Sequence, residues 1–528
     1  MIGVIAEPSE HGVVSEFFEL FKTPWEFFRK DRKYDVLLCA SDESFDDSAA
    51  PVVLIFAGNP LSSDTSRGIR AASALQAPGD LAFRGNRIPI YEGRLTFAAS
   101  EHSLLTDQES GLPAIQLIRT GKATVARLGY NLFREIRALL TTGQPVANAS
   151  VPALELHIAL LRDLIAAAGA PLPEIPPVPA GYRFIACLTH DVDHPLVRNH
   201  RFDHTTFGFL YRATLGSLRD VVRARRGISD AWRSLVAAAK LPLVYLGLAK
   251  DFWGDFDRYP EIENGAGSSF FVIPFRDRPG QKPPGQAPKA RAARYGAADI
   301  TAQIRKLQAA GCEIGTHGID AWVDRSAGRE ELGEIRRLTG AGDIGVRMHW
   351  LYFDERSHET LEAAGADYDS TVGYNGTVGY RAGTTQVYKP LGTTHLLELP
   401  LHIMDTALFY PAHLNLTARQ ASARVREIIE HAVQLGGCVT VNWHDRSIAP
   451  ERCWDGFYRD LLEELKNQGA WFATAAQAVA WFRKRRLARW ESTGELADKE
   501  ALAAGGDGVP GLQVTTLNPR PDHVLSGV

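Results

Sequence analysis

The chain has 528 residues, 45% of them apolar and 23% charged, with a net charge of −4. That length exceeds one ordinary hydrophobic core and predicts two domains of unequal size, in a composition typical of a soluble globular protein. The slightly acidic balance speaks against a bulk nucleic-acid binder. No apolar run approaches the roughly 20 residues that span a bilayer. The opening Met1-Ile-Gly-Val-Ile-Ala-Glu7 lacks the basic flank and long apolar core of a secretory signal. The cysteines, Cys39, Cys187, Cys312, Cys438 and Cys453, are odd in number and never form a Cys-x-x-Cys pair. Reduced, buried thiols and a cytoplasmic location follow as expectations.

Residues 1–168 read as the smaller, α/β domain. Tyr34 to Ala40 and Pro51 to Ala57 are short apolar runs ending in polar residues or glycine, as buried strands do, and Ile88 to Tyr91 is a third candidate. None carries a phosphate loop or a Gly-x-Gly-x-x-Gly, so no nucleotide site is expected. Asp42, Glu43, Asp46 and Asp47 read as a solvated acidic loop. Helices are expected over Tyr130 to Leu140 and from Ser150, where Pro152 falls in the first turn and Leu154, Ile158, Leu161 and Ile165 share one face. Five prolines between Gly169 and Gly181 make 169–181 a semi-rigid extended linker by composition.

The stretch Tyr182 to His194 is the most informative in the chain. Phe184 to Leu188 is continuously apolar, as a strand buried on both faces must be, and it runs into His190-Asp-Val-Asp-His194. If the extended backbone persists, Asp191 and Asp193 point to the same side and serve one site. From about 194 to 265, arginines and lysines recur among Phe207, Leu210, Leu215, Leu218 and Leu235, which predicts basic amphipathic helices. A solvated face over an apolar underside explains them, with peripheral docking on an acidic glycan or anionic lipid as the alternative. The strand Ser268 to Phe275 follows, then a proline-rich basic loop from Arg278 to Lys289.

Beyond it, strand and helix alternate: helix 297–310, strand 312–316, helix 329–338, strand 344–347, helix 357–364 and strand 368–370. After a long insertion come helix 418–434, strand 438–442, helix 453–467, strand 471–474 and a closing helix from Ala475. Such repetition predicts a parallel α/β architecture near a closed barrel. Histidine, aspartate or arginine follows five of these strands: Asp191 and Asp193, His317, Arg347 and His349, Asp369, then His444 and Asp445. Strand ends of one sense share one mouth, where barrels hold their active sites.

Thr189-His-Asp-Val-Asp193, Glu313-Ile-Gly-Thr-His-Gly318, Val346-Arg347, Tyr368-Asp-Ser-Thr371 and Trp443-His444, in this order, resemble the motif series of the polysaccharide deacetylase family, carbohydrate esterase family 4. The resemblance covers about 182–483. It implies a distorted, incomplete (β/α) barrel that binds one divalent metal and removes acetyl groups from N-acetylated sugars, here of a bacterial exopolysaccharide or envelope glycan. By position, the resemblance makes Asp191 the general base, Arg347 the arginine that orients it and His444 the general acid, with Asp445 or Asp369 as orienter of His444. Asp193 and His317 fall at the metal ligands. The metal implied is zinc, with cobalt, nickel or manganese as alternatives; neutral imidazole and carboxylate suit such ions.

The family places a second histidine four residues after the first, where this chain has Ala321. His349 is the candidate for that vacancy, with His194 and His190 behind it. The insertion 373–410 is rich in glycine and tyrosine, a composition suited to a sugar-contacting loop, and Tyr374 and Arg381, with Asp369, are the candidate substrate contacts. Leu397 to Met404 reads as a strand ending in His402 and Asp405. Residues 484–528 read as a basic helix end followed by a disordered tail. A metallohydrolase acting on another amide and a silent glycan-binding relative are the alternative functions.

Overall fold

The computed structural model describes residues 1–41, 49–75, 78–98, 104–120, 123–167, 169, 171–223, 225–282, 289–491, 495–497, 502–506 and 508–517. The acidic loop Asp42, Glu43, Asp46 and Asp47 lies outside the described residues, as does 283–288 of the loop after Arg278. The chain is α/β and divides into two compact units. One comprises Met1–Gly181, Tyr380–Leu391 and Trp481–Val528; the other comprises Tyr182–Gly379 and Gly392–Ala480.

The first unit is built on a six-stranded sheet in the order Ile115–Thr120, Ala123–Leu128, Val52–Phe56, Val36–Cys39, Ile2–Ile5, Trp25–Phe27. Every neighbouring pair is parallel except the hairpin of the first two strands. Val36–Cys39 and Val52–Phe56 are buried at every position, which is why they read as unbroken apolar runs. Leu132–Leu140 and Ala153–Ala167 are the two expected helices. The Tyr380–Leu391 segment docks here: Glu155, fully buried, accepts from Thr385 N at 3.1 Å, and Gln144 N donates to Arg381 O at 2.6 Å.

Two expectations about the flanks are corrected. The proline-rich 169–181 contains the strand Leu172–Glu174, and the tail expected to be disordered supplies its antiparallel partner, Thr515–Leu517. A two-stranded ribbon leaves Pro173 on an edge, where its missing N–H costs no ladder bond. Arg485, in the basic run that ends the closing helix as expected, is buried and donates to the carbonyls of Glu19, Leu20 and Ile175.

Among the described residues, the second unit holds nine parallel strands, labelled here in chain order. These are β1 (Phe184–Val192), β2 (Ser269–Val272), β3 (Glu313–Gly318), β4 (Val346–Met348), β5 (Tyr368–Asp369), β6 (Leu397–Glu398), β7 (Ile403–Met404), β8 (Cys438–Asn442) and β9 (Ala470–Ala473). The order is β6-β5-β4-β3-β2-β1-β8-β7, with β9 also paired to β1. β1 is central: β8 flanks Ile185 to Thr189 on one side, while β9 and then β2 flank Phe184 to Cys187 and Thr189 to Val192 on the other. The helices between strands stop where the sequence says they should. Arg325–Thr339 is capped by the Asp324 carboxylate and ends on Gly340 at φ 72°, a left-handed conformation glycine adopts without strain.

β6 and β7 form opposite edges of this sheet, yet only residues 399–402 separate them in the chain. Leu399 N donates to Asp369 O at 2.8 Å and His402 N to Thr440 O at 3.1 Å, so this short passage steps from one edge to the other. The expected single strand Leu397 to Met404 is therefore two, broken at Pro400, which has no N–H for a ladder. The sheet curls accordingly into an incomplete barrel whose strand ends surround one mouth.

Candidate active site

β1 is buried along all nine residues, so the extended backbone does persist past Leu188 and carries the polar residues with it. Alternation then separates neighbours. His190 turns into the core, its Nδ1 2.7 Å from Trp443 O, its Nε2 2.8 Å from Glu263 Oε1 and its ring stacked on Tyr259. Asp191 turns the other way, to the mouth, where Arg347 Nη1 donates to Oδ1 at 3.0 Å and Asn442 Nδ2 to Oδ2 at 2.7 Å. Arg347 is itself wholly buried and fixed: Nε donates to Ser370 O, Nη1 also to Thr189 Oγ1, and Nη2 to Ser370 Oγ. Burial would raise the Asp191 pKa, but the charges of His317, Arg347 and His444 outweigh it and hold the carboxyl below its ordinary value.

Asp193, His317 and His349 come together one step further out. His317 Nε2 lies 3.3 Å from Asp193 Oδ1, and His349 Nε2 lies 3.6 Å from the same oxygen. Their ligand atoms are all within 4.8 Å of one another. Two atoms each about 2.0–2.2 Å from a common ion at a tetrahedral angle lie roughly 3.3–3.6 Å apart, so both contacts of Asp193 Oδ1 have the spacing of ligands sharing one divalent ion. The hydrogen bonding fits too. His317 Nδ1 is 3.0 Å from Arg347 O, a contact that orients the ring with Nε2 toward Asp193. Asp193 Oδ1 is buried with no hydrogen-bond partner among the described residues. A buried carboxylate oxygen without a hydrogen-bond partner is costly unless a proton or a cation meets it. Burial lowers the His349 pKa to about 3, so its imidazole is neutral and available as a ligand. Ala321 packs instead against Gly328 of the following helix.

On the opposite side stands His444. Its Nε2 is 3.9 Å from Asp193 Oδ2, and its Nδ1 is 2.6 Å from Asp405 Oδ1. Asp405, not Asp445 or Asp369, is thus its orienting carboxylate. Asp445 serves the backbone of His194 and Arg446. Asp405 also accepts from His444 N at 2.7 Å and from Ser447 Oγ, which locks the pair. Burial alone would lower the His444 pKa, but Asp405, with Asp193 and Asp191 behind it, raises it to about 10.

These groups line a cavity of about 470 Å³. Its wall includes residues the sequence reading did not single out, Trp350, Tyr352, Asn375, Tyr410 and His413. Trp350 and Leu351 adopt left-handed backbone, φ 67° and 52°, directly after His349. For non-glycine residues such conformations cost about 1–3 kcal/mol each and persist where the surroundings enforce them. Here the turn aims His349 inward while leaving Trp350 partly exposed, its carbonyl accepting from Asn375 Nδ2 at 2.8 Å. No sequence signal marks a strained turn of this kind.

The three expected substrate contacts lie elsewhere. Tyr374 is buried and only its neighbour Asn375 reaches the cavity; Arg381 belongs to the first unit, its backbone against the Gly143–Gln144 turn. Asp369 is fully buried with Glu398 and His358 in a second three-residue cluster, His358 Nε2 lying 3.6 Å from Asp369 Oδ2 and 3.4 Å from Glu398 Oε2. Burial, and then the neighbouring Glu398 carboxyl, push the Asp369 pKa well up, and burial raises Glu398 to about 7. Asp369 lies beside Glu398 and is not among the residues lining the cavity. His194 does line the cavity, but its Nδ1 lies 3.2 Å from His200 Nε2.

The chain is similar to polysaccharide deacetylases. Among solved structures, one from Mycobacterium smegmatis assigned as a polysaccharide deacetylase shares 18% identity over 59% of this chain and 96% of its own, at a TM-score of 0.36. One from Pseudomonas aeruginosa PAO1, assigned likewise, shares 16% over 57% and 92%, at 0.34. Agd3, a carbohydrate deacetylase, aligns with 92% of this chain and 87% of its own at 9% identity and a TM-score of 0.35. No family model and no curated protein sequence matches.

Proposed function

We propose that the chain is a metal-dependent hydrolase that removes the acetyl group from an N-acetylated sugar of a bacterial exopolysaccharide or envelope glycan. One observation carries the reading. In a single cavity, an unpartnered Asp193 oxygen and two imidazole nitrogens converge between a carboxylate held by arginine and an imidazole held by carboxylate.

Asp193, His317 and His349 would hold one divalent ion, zinc by the donor set and spacing. Such an ion, when bound, acidifies a water and polarises a carbonyl. The chain's own residues do the rest. Asp191 stays ionised because Arg347 and its neighbours favour its charged form, so it can take the proton from the attacking water. Arg347 and Asn442 clamp its two oxygens and leave it little rotational freedom. As oxygen adds to the acetyl carbon and the C–N bond breaks, acetate leaves and the sugar nitrogen needs a proton. His444 carries one at neutral pH, with Asp405 holding Nδ1 so that Nε2 faces the cavity. Trp350, Tyr352 and Tyr410 line the cavity and supply aromatic surface for a pyranose.

Acetate release from a panel of N-acetylated glycans and a cyclic amide tests the reading. Asp191→Asn and His444→Gln are expected to lose release while keeping bound metal. Hydrolysis of the cyclic amide alone, or full activity in either variant, would overturn it.

A further inference from the structure

Between β1 and β2 lies a helical hairpin that the site does not use. Its first arm is His204–Tyr211, a π-helical turn Arg212–Gly216 and Ser217–Val222; its return arm is Ile228–Tyr245. The inner face of the hairpin is accounted for. Phe209 and Ala213 of the first arm and Ala237, Leu241 and Val244 of the second pack around Trp253 and Ala449. An amphipathic helix needs one apolar stripe for this.

Both arms carry a second one. On the first, Phe207, Tyr211, Leu215, Leu218 and Val222 recur every three or four residues and are 50–80% exposed. On the return, Ile228, Trp232, Leu235, Leu243 and Leu246 keep the same period, with Ala239 in the remaining position, and are 44–79% exposed. Among the described residues, 202–248 hold 12 of the 17 exposed large apolar side chains, a concentration far beyond scattered surface leucines. The charge is equally uneven. Residues 201–250 contain nine Lys and Arg against three Asp and no Glu, in a chain of net charge −4. Arg219, Arg223, Arg225, Arg233 and Lys240 are all exposed.

We propose that this hairpin is a docking surface for an anionic phospholipid bilayer, lying in the head-group plane with both outer stripes in the acyl boundary. Apolar side chains with leucine, phenylalanine and tryptophan on one face and a cationic polar face are what interfacial helices need, and basic residues near the surface are drawn to anionic lipid. No helix among the described residues is long and apolar enough to cross a membrane, so the contact is peripheral. A second copy of the chain is disfavoured, because a two-fold interface would set this cationic face against itself. The hairpin also leans on the loop after β8: Arg226 Nη2 donates to Glu451 O at 2.8 Å, and Arg446 and Arg452 of that loop line the cavity. Docking would therefore hold the cavity near the head groups. The inference is independent of the reaction proposed above.

Flotation of the full chain with vesicles tests it, using phosphatidylcholine alone and phosphatidylcholine with about a third phosphatidylglycerol. Binding is expected on the anionic vesicles, weakened by raised salt. Leu215→Glu/Leu218→Glu/Trp232→Glu, all at exposed positions, should weaken it about tenfold or more. Arg223→Glu/Lys240→Glu should reduce it on anionic vesicles only. Absence of wild-type binding to either vesicle, binding unchanged in the triple variant, or self-association through the stripe without vesicle binding would each overturn the proposal.

Discussion

Replacing Asp405 by Asn isolates one relationship at the site, the coupling that keeps His444 charged. Asp405 Oδ2 accepts from His444 N and Ser447 Oγ, and Oδ1 accepts from Thr406 N and faces His444 Nδ1, so an asparagine leaves donors on one side facing its NH₂. In either orientation the imidazole loses its ionic partner. An adjacent opposite charge is worth about 1–3 pKa units, so a His444 pKa of about 10 should fall to roughly 7–9. At about 1.4 kcal/mol per unit, that is roughly 1.4–4 kcal/mol of stability. The sign is fixed by linkage. His444 has a folded pKa raised above 6.5, so its stabilisation is complete below pH 6.5 and vanishes as pH rises through about 10. Asp405→Asn should therefore destabilise most in mild acid and least above pH 10. Titration of the His444 ring proton by NMR, read with urea unfolding at several pH values, measures both. An unchanged His444 pKa, or a loss of stability that grows with pH, would refute the reasoning.

Three further outcomes follow. Arg347→Met should cost about 3–5 kcal/mol in urea unfolding, because it strands the buried Asp191 carboxylate with Asn442 as its remaining side-chain partner; a loss under 1 kcal/mol would contradict the clamp. His349→Ala should weaken zinc binding in equilibrium dialysis by more than about a hundredfold, since even outer-shell changes cost 10–100-fold; unchanged affinity would remove His349 from the ligand set. Glu155, fully buried, has its pKa raised by burial to about 7, so its contribution is present below pH 4.5 and lost as pH rises through 7. Glu155→Gln should flatten that decline, by on the order of 3 kcal/mol between pH 5 and 8. A pH profile of thermal melting identical to wild type would show that Glu155 does not titrate there.

What could be read beforehand follows from how each feature is encoded. The strands of the second unit were legible because burial on both faces leaves unbroken apolar runs; the helix Arg325–Thr339 starts four residues before the expected 329 because the Asp324 cap was not read. Asp191, Asp193, His317, Arg347 and His444 could be singled out because each directly follows or ends such a strand. Asp405 was visible only as the end of a strand, since its pairing with His444 depends on the passage that joins β6 to β7, a contact between sheet edges with no local signature. Arg381 and Tyr374 misled because loop composition records flexibility and aromatic content but not which way a loop runs. Ile2–Ile5, not among the expected strands, lies between Val36–Cys39 and Trp25–Phe27 in the first unit's sheet.

The most direct test of the account is acetate release from N-acetylglucosamine oligomers by one preparation, first stripped with chelator and then reloaded with zinc. Release that is absent after stripping and restored with one zinc per chain is the predicted result. Full release by the stripped protein, or none at saturating zinc, cobalt, nickel and manganese from a protein that binds them, would contradict it.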